Sequence, residues 1–495
     1  MKNIIRIFAL ILALLMVATC FVACNGKKKG DPAASSSNLG PSSQLESEYV
    51  SKLPAEKDWG GEEYLVIGQN TNGNAAWYTF EIARETETND VVGKAVYERN
   101  LAIKEKYNLV VKEELQSQSY TYIQSYYSSN EDKYDMAMYQ LEGIFGHAQD
   151  GYLKDISTLE YIDFDHPTWN KSTNDQLTLG TSVFATNSKF NLQNKGQISA
   201  LFYNRELARN AGDGYIEDLV TSNQWTLDKY TELVKKDADD KDGNGALGDF
   251  GDAFGTCGDV WNFLTYAQGA GYRASTVVNG EVQLVGAGEA VINILKEVGD
   301  FYWDAQSCFR TEVRTGYSYS DSINMFLDGR SLFGCFQVLD KDNQLSAVSF
   351  EMGVLPSPKL NSSQESFYST VNFRYSSLCA VPYTVMDTSF AGFGLEALAE
   401  YSAAPGSTYE AYIETKCKTQ NSVDQRMYDM YEIIFSNPVY DIAIVGNFGT
   451  IKDIITSKVP KEGNASSYAT HYQANSEAAV NKINELMEDI KNIGA

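Results

Sequence analysis

Short apolar runs alternating with amphipathic stretches constrain this chain more than any other feature of its sequence. Tyr64-Leu-Val-Ile-Gly reads as a buried strand, and Asp90 to Tyr107 then spaces Val92, Val96, Leu101 and Ile103 between charges, as a helix with one apolar face requires. Leu109-Val-Val-Lys-Glu-Glu-Leu is a second strand, Tyr120 to Tyr127 a short helix, and Tyr134-Asp-Met-Ala-Met-Tyr a third strand before a helical stretch near Gly143 to Gln149. Such alternation predicts an α/β fold with a parallel sheet covered by helices. Further on, the turn-rich stretch from Gly151 to Thr186 leads to Ala200-Leu-Phe-Tyr-Asn-Arg-Glu-Leu, a strand passing into a helix and a natural crossing between lobes. A helix capped by Thr226, another from Asp259 to Gly269, and a hairpin from Val277 to Val285 around Asn279-Gly280 make a second, mixed lobe. Ser322 to Phe333 runs helix, turn and strand, and Phe390 to Tyr401 and Val480 to Ile493 are read as amphipathic helices.

The amino terminus sets the compartment. Lys2 and Arg6 precede an apolar run from Ile7 to Ala18, which ends in small residues and a cysteine at Phe21-Val22-Ala23-Cys24. That run is shorter than the roughly 20 residues of a membrane-spanning helix and is followed by a polar tract, so residues 1–23 read as an export signal. The tetrad ending in Cys24 resembles a bacterial lipobox, which implies a lipid-modified Cys24; a secretory signal cut elsewhere is the alternative. Residues 24–57, rich in Gly, Ser, Pro and Lys, are too poor in apolar side chains to build a core and form a flexible tether. Loss of Lys2 and Arg6 with the signal takes the net charge from −25 to −27, which argues against nucleic acid as a partner. Cys257, Cys308, Cys335, Cys379 and Cys417 have no paired short spacing and are expected to be buried thiols with at most one or two bridges.

Several segments, in order, carry a resemblance: Lys133-Tyr-Asp-Met, the crossing Ala200-Leu-Phe-Tyr-Asn-Arg-Glu-Leu, Gln224-Trp-Thr-Leu-Asp-Lys-Tyr, and Asp240-Lys-Asp-Gly-Asn-Gly. Phe326-Leu-Asp-Gly-Arg-Ser-Leu-Phe, Met352-Gly-Val-Leu-Pro-Ser-Pro-Lys and Ala380-Val-Pro-Tyr-Thr continue the series. The ordered set resembles the family 1 extracellular solute-binding proteins of ABC importers, the maltose-binding-like group, in lipoprotein form. That resemblance implies a two-lobe periplasmic-binding-protein-like fold of type II, with crossing strands as hinge and a ligand held between lobes that close over it. It divides the chain into a first part of lobe one at 58–195 and lobe two mainly at 196–320. A return to lobe one and hinge follows at 321–385, then a helical part at 386–495 placed mainly with lobe two. It implies a monomer that is not an enzyme, tethered outside the cell membrane through lipid, capturing a small molecule, an oligosaccharide in the first instance, and passing it to an ABC permease.

Sugars present apolar C–H faces and hydroxyl rims, so a site needs aromatic platforms edged by amides, carboxylates or arginine. Open α/β sheets bind ligands at the carboxyl ends of their strands. That rule selects Gln69, Asn70 and Trp77 after the first strand and Gln140 and Glu142 after the third, with Trp261, Tyr317 and Arg374 added from the second lobe and the crossings. Each has a plainer reading as a surface or core residue.

Asp240, Asp242 and Asn244 put oxygen side chains at alternate positions before Gly245, as a calcium loop requires, with the Ala246 carbonyl next in the series. Gly251 stands where such loops carry a bidentate glutamate, so Asp249 or Asp252 would have to close the shell; a solvated acidic turn is the alternative. No cofactor is required, and a structural calcium is the one ion the residues suggest. The three histidines show no metal-ligand spacing, and there is no Gly-x-Ser-x-Gly elbow. A lipid-anchored glycoside hydrolase, whose paired carboxylates leave no spacing in sequence, and a non-sugar ligand binder or sensor of the same fold stay open as alternatives.

Overall fold

The computed structural model of the protein describes residues 51–69, 80–117, 119–311, 314, 316–419 and 422–493. The signal, most of the tether and Cys24 lie outside these residues. Strand β1 (Glu62–Gln69) leads to the helix Val91–Tyr107, whose cap Asp90 accepts the Gly93 N–H at 2.7 Å and whose end turns on left-handed Asn108. Strand β2 (Leu109–Gln116), the helix Ser119–Ser129 and β3 (Met136–Gln140) follow. β1 pairs in parallel with β2, Glu62 opposite Leu109, and with β3, Val66 opposite Met136. Parallel neighbours need crossovers, and the intervening helices supply them.

The chain then enters a second sheet with β4 (Ser199–Asn204), every residue of which is buried, and β5 (Phe254–Gly258). A hairpin of β6 (Ser275–Val278) and β7 (Glu281–Leu284) turns on Asn279 and Gly280, both at positive φ. β8 (Cys308–Arg310), β9 (Ser331–Gln337) and β10 (Met352–Leu355) complete this sheet in the order β10-β4-β9-β5-β8. Its β5 edge is parallel and its β4 side antiparallel. After β11 (Ser369–Thr370), which pairs with Pro438–Val439, the chain returns as β12 (Ser377–Ala380), antiparallel to β3, so the first sheet reads β12-β3-β1-β2.

Three expectations change. The return to the first sheet, placed at 321, comes only after Thr370, because β9 and β10 belong to the second sheet. The helix expected over Phe390 to Tyr401 spans Thr388–Ala403 and sits with the first sheet, not the second: the Tyr64 hydroxyl donates to the Ala391 carbonyl at 3.1 Å, and Trp59 packs edgewise on Phe390 and Phe393. It is buried on all sides from Phe390 to Ser402, so its alanines and glycines reflect close packing rather than an amphipathic surface. The amphipathic stretch from Val480 is the second half of a 27-residue helix, Ser467–Ile493. All five cysteines beyond Cys24 are buried and unbridged.

Burial of that helix encloses two carboxyl groups. Glu396 accepts the Asp163 N–H at 3.2 Å and the Trp169 indole N–H at 3.0 Å through one oxygen, while the other has no partner. Burial, with Glu400 nearby, pushes its pKa from 4.5 to about 8, and burial pushes Glu400 to about 7 although Ser51 donates to it. A raised folded-state value means that the native state holds protons the unfolded chain has released. The stability contributed is therefore complete below pH 4.5 and is lost as pH rises through about 8. Thermal unfolding should show a melting temperature that declines between these limits, and Glu396→Gln should flatten the decline; equal slopes in both proteins would contradict this protonation state.

Candidate functional site

A strap between β11 and β12 ties the two sheets together. On one side Val371 bridges Ile198 and the Asn372 N–H donates to the Gln197 carbonyl at 2.9 Å, next to β4. On the other, the Leu141 N–H donates to Ser376 at 3.0 Å and the Glu142 N–H to Phe373 at 3.1 Å, directly after β3. The Gln140 side-chain amide donates to the Arg374 carbonyl. Residues at the carboxyl end of β3 and on the strap thus share one framework.

The second sheet contributes from the carboxyl end of β5. Asn262 Oδ1 accepts the Asp259 N–H at 2.7 Å, and Asp259 Oδ1 accepts the Trp261 N–H at 3.0 Å, which folds the chain tightly at the start of the helix Asn262–Gly269. The turn depends on Gly258: a Cβ there would lie 1.9 Å from Asn262 Oδ1. Trp261 is held 40% exposed, with its ring edgewise to Phe373 at 5.7 Å between centroids. Lys452, from the carboxyl-terminal part, pairs with Glu142 at 3.1 Å and lies 5.5 Å from the Phe373 ring centre. Tyr319 donates to Asp340 at 3.0 Å; burial and the Asp340 carboxylate push its hydroxyl well up, so it stays a neutral donor. A cavity of about 200 Å³ opens among Asp259, Trp261, Tyr319, Gln337, Phe373 and Arg374. Its chemistry is an aromatic pair edged by a carboxylate, amides and a guanidinium, able to hold a polyhydroxylated ligand by stacking and hydrogen bonds.

Of the residues selected from sequence, Trp261 and Arg374 line this cavity, while Gln140 and Glu142 bond to the strap beside it and do not line it. Tyr317 does neither: its ring stacks on Phe250 at 4.8 Å and meets Phe309 edgewise, away from the cavity. Asn70, Trp77 and the Gln69 side chain lie outside the described residues; the Gln69 backbone ends β1. Asp259, Tyr319, Gln337, Phe373 and Lys452 were not selected. A larger groove of about 940 Å³, bordered by Lys171, Arg273, Tyr368 and Asp441, opens at the opposite end of the helix Asn262–Gly269. It lies away from the carboxyl ends of β3 and β5, where open sheets bind ligands, so the smaller cavity is the stronger candidate.

Asp240, Asp242, Asn244, Ala246, Asp249 and Asp252 lie together on a loop before β5, closed at its base by an antiparallel bridge between Asp239 and Ala253. Asp240, Asp242 and Asp252 each offer a carboxylate oxygen within 4.8 Å of the others.

No family model and no curated protein matches the sequence. Solved structures do match. A cyclo/maltodextrin-binding protein complexed with maltotetraose aligns with a TM-score of 0.53 at 12% identity, covering 88% of this chain and 97% of its own. A family 1 extracellular solute-binding protein from Bifidobacterium longum subsp. infantis aligns at 0.52 and 11% identity, covering 85% and 100%. UspC of M. tuberculosis aligns at 0.52 and 14% identity, covering 84% and 100%. The chain has the two-lobe solute-binding-protein fold. The cavity lies beside the strap and β4 and is lined by residues of the strap and of the second sheet's side. No described helix is long and apolar enough to cross a membrane.

The site's dependence on Gly258 is testable. Gly258→Ala drives a methyl group into the Asn262 side chain and should cost about 1–3 kcal/mol in urea unfolding. Unchanged stability would contradict the tight turn before Trp261.

Proposed function

We propose that the protein is an extracytoplasmic substrate-binding lipoprotein of an ABC importer, which captures an oligosaccharide between its lobes and delivers it to a permease. One observation carries this reading. Trp261 and Phe373, brought from the second sheet and the strap, form an aromatic corner ringed by Asp259, Gln337, Asn372 and Arg374, where open sheets place ligands. A ligand that touched both sides would favour the closed arrangement, because only differential affinity shifts such an equilibrium. The fold shared with a dextrin-binding protein crystallised with maltotetraose supports a sugar over other solutes. Export by residues 1–23, lipid on Cys24 and a tether to residue 57 would keep a monomeric receptor near its permease.

Isothermal titration of the soluble chain lacking its signal with a panel of oligosaccharides should give saturable binding. Trp261→Ala should weaken it by about tenfold, the loss expected for one aromatic contact worth about 1–1.5 kcal/mol. No heat with any member of the panel would overturn the sugar assignment, and release of shorter sugars on prolonged incubation would make the protein a glycosidase instead.

A further inference from the structure

We propose that the loop from Asp240 to Asp252 is a calcium site that fixes the start of β5. Gly245, at φ +82°, makes the left-handed turn at the sixth position, so the chain folds back over Asp240 and Asp242. Asp240 anchors the turn by accepting the Gly243 N–H at 2.7 Å and the Gly245 N–H at 2.8 Å. Calcium takes oxygens at about 2.3–2.6 Å, so two ligands on opposite sides of it are about 5 Å apart. The carboxylate oxygens of Asp240, Asp242 and Asp252 all lie within 4.8 Å of one another, inside that span.

Asp252 is the observation that separates this loop from a solvated acidic turn. Its side chain is 0% exposed, Oδ2 accepts the Gly248 and Asp249 N–H groups at 2.7 and 3.1 Å, and Oδ1 is buried with no hydrogen-bond partner. A buried, unsatisfied carboxylate oxygen beside two further carboxylates is costly unless a cation joins them. Gly251 stands at the twelfth place, where a Cβ would sit 2.5 Å from Asp242 Oδ2, so a side chain there would have to displace the Asp242 carboxylate. Asp252 supplies the oxygen from the buried side instead. The Asn244 amide already donates to Asp242 and Asp249 at 3.0 and 2.5 Å, placing partial positive charge between two carboxylates, and Lys241 turns away to pair with Asp239 at 2.6 Å.

Binding here would act on the cavity through β5. The loop's far end is held by Arg330, whose guanidinium donates to the Asp252 carbonyl at 3.2 Å, and by Arg314, which donates to the Gly248 carbonyl at 2.6 Å. β5 begins two residues after Asp252 and ends at Gly258, the turn that presents Asp259 and Trp261. Phe250 in the same loop carries the Tyr317 ring, which gives that tyrosine a place in the wall of the metal loop.

The test uses the chain lacking its signal, stripped with EDTA and titrated with CaCl₂. One calcium per chain should bind, with a dissociation constant on the order of 10⁻⁴ M, as in extracellular loops short of a bidentate glutamate. The melting temperature should rise by about 2–4 °C in millimolar calcium. Asp242→Asn, at an exposed position that leaves folding intact, should weaken binding by about tenfold or more, whereas Glu485→Gln, on the exposed side of the helix Ser467–Ile493, should leave it unchanged. Absence of both binding heat and a thermal shift overturns the proposal. So does an Asp242→Asn protein that binds calcium as well as the parent, or an equal thermal shift with MgCl₂.

Discussion

The strap from Thr370 to Ser376 is the constraint on which the rest of the molecule depends. It is hydrogen-bonded to Gln197 at 2.9 Å beside the second sheet and to Leu141 and Glu142 at 3.0 and 3.1 Å beside the first. Backbone bonds of this kind are obligatory once buried, so the carboxyl end of β3 and the crossing into β4 are held in register with each other. Gln140, Phe373 and Arg374 then sit on one rigid piece, while Trp261 and Asp259 arrive on another, from the end of β5. The Trp261–Phe373 edge contact is where the two pieces meet. A contact made by two rings across a cavity is easily exchanged for contacts to a ligand of similar polarizability, which suits capture without chemistry.

The fold was legible because its signals are local. The Asp90 and Thr226 caps, the Asn279-Gly280 turn and the apolar runs of β1 to β3 are each set by neighbours in sequence. The helix Thr388–Ala403 was found but its surroundings were misjudged, since Glu396 and Glu400 look like a polar face and are buried by the first sheet and the segment around Asp163. Lobe membership failed at 321–370 for a related reason: a strand does not announce which sheet it will join. β9 pairs with β4 and β5 through contacts of long sequence separation, and no local pattern carries that information.

The site was half legible on the same grounds. The rule about carboxyl ends of strands led to Gln140 and Glu142 beside the cavity, and applied to β5 it would also have given Asp259, which lines the cavity with Trp261. Tyr317 was selected, yet the capping box between Ser318 and Asp321 starts the helix at Tyr319, whose hydroxyl donates to Gln337 at 3.3 Å, while the Tyr317 ring stacks on Phe250. Lys452 could not have been found, as it reaches Glu142 from 310 positions away. In the acidic loop the spacing singled out Asp240, Asp242 and Asn244, whereas the burial that sets Asp252 apart from Asp249 is not visible in the sequence.

Small-angle X-ray scattering tests the central claim, that two bodies hinged at the strap close on a guest. With the oligosaccharide that binds best at saturating concentration, the radius of gyration of the chain lacking its signal should fall as the lobes close. A radius unchanged by a ligand shown to occupy the site would contradict it.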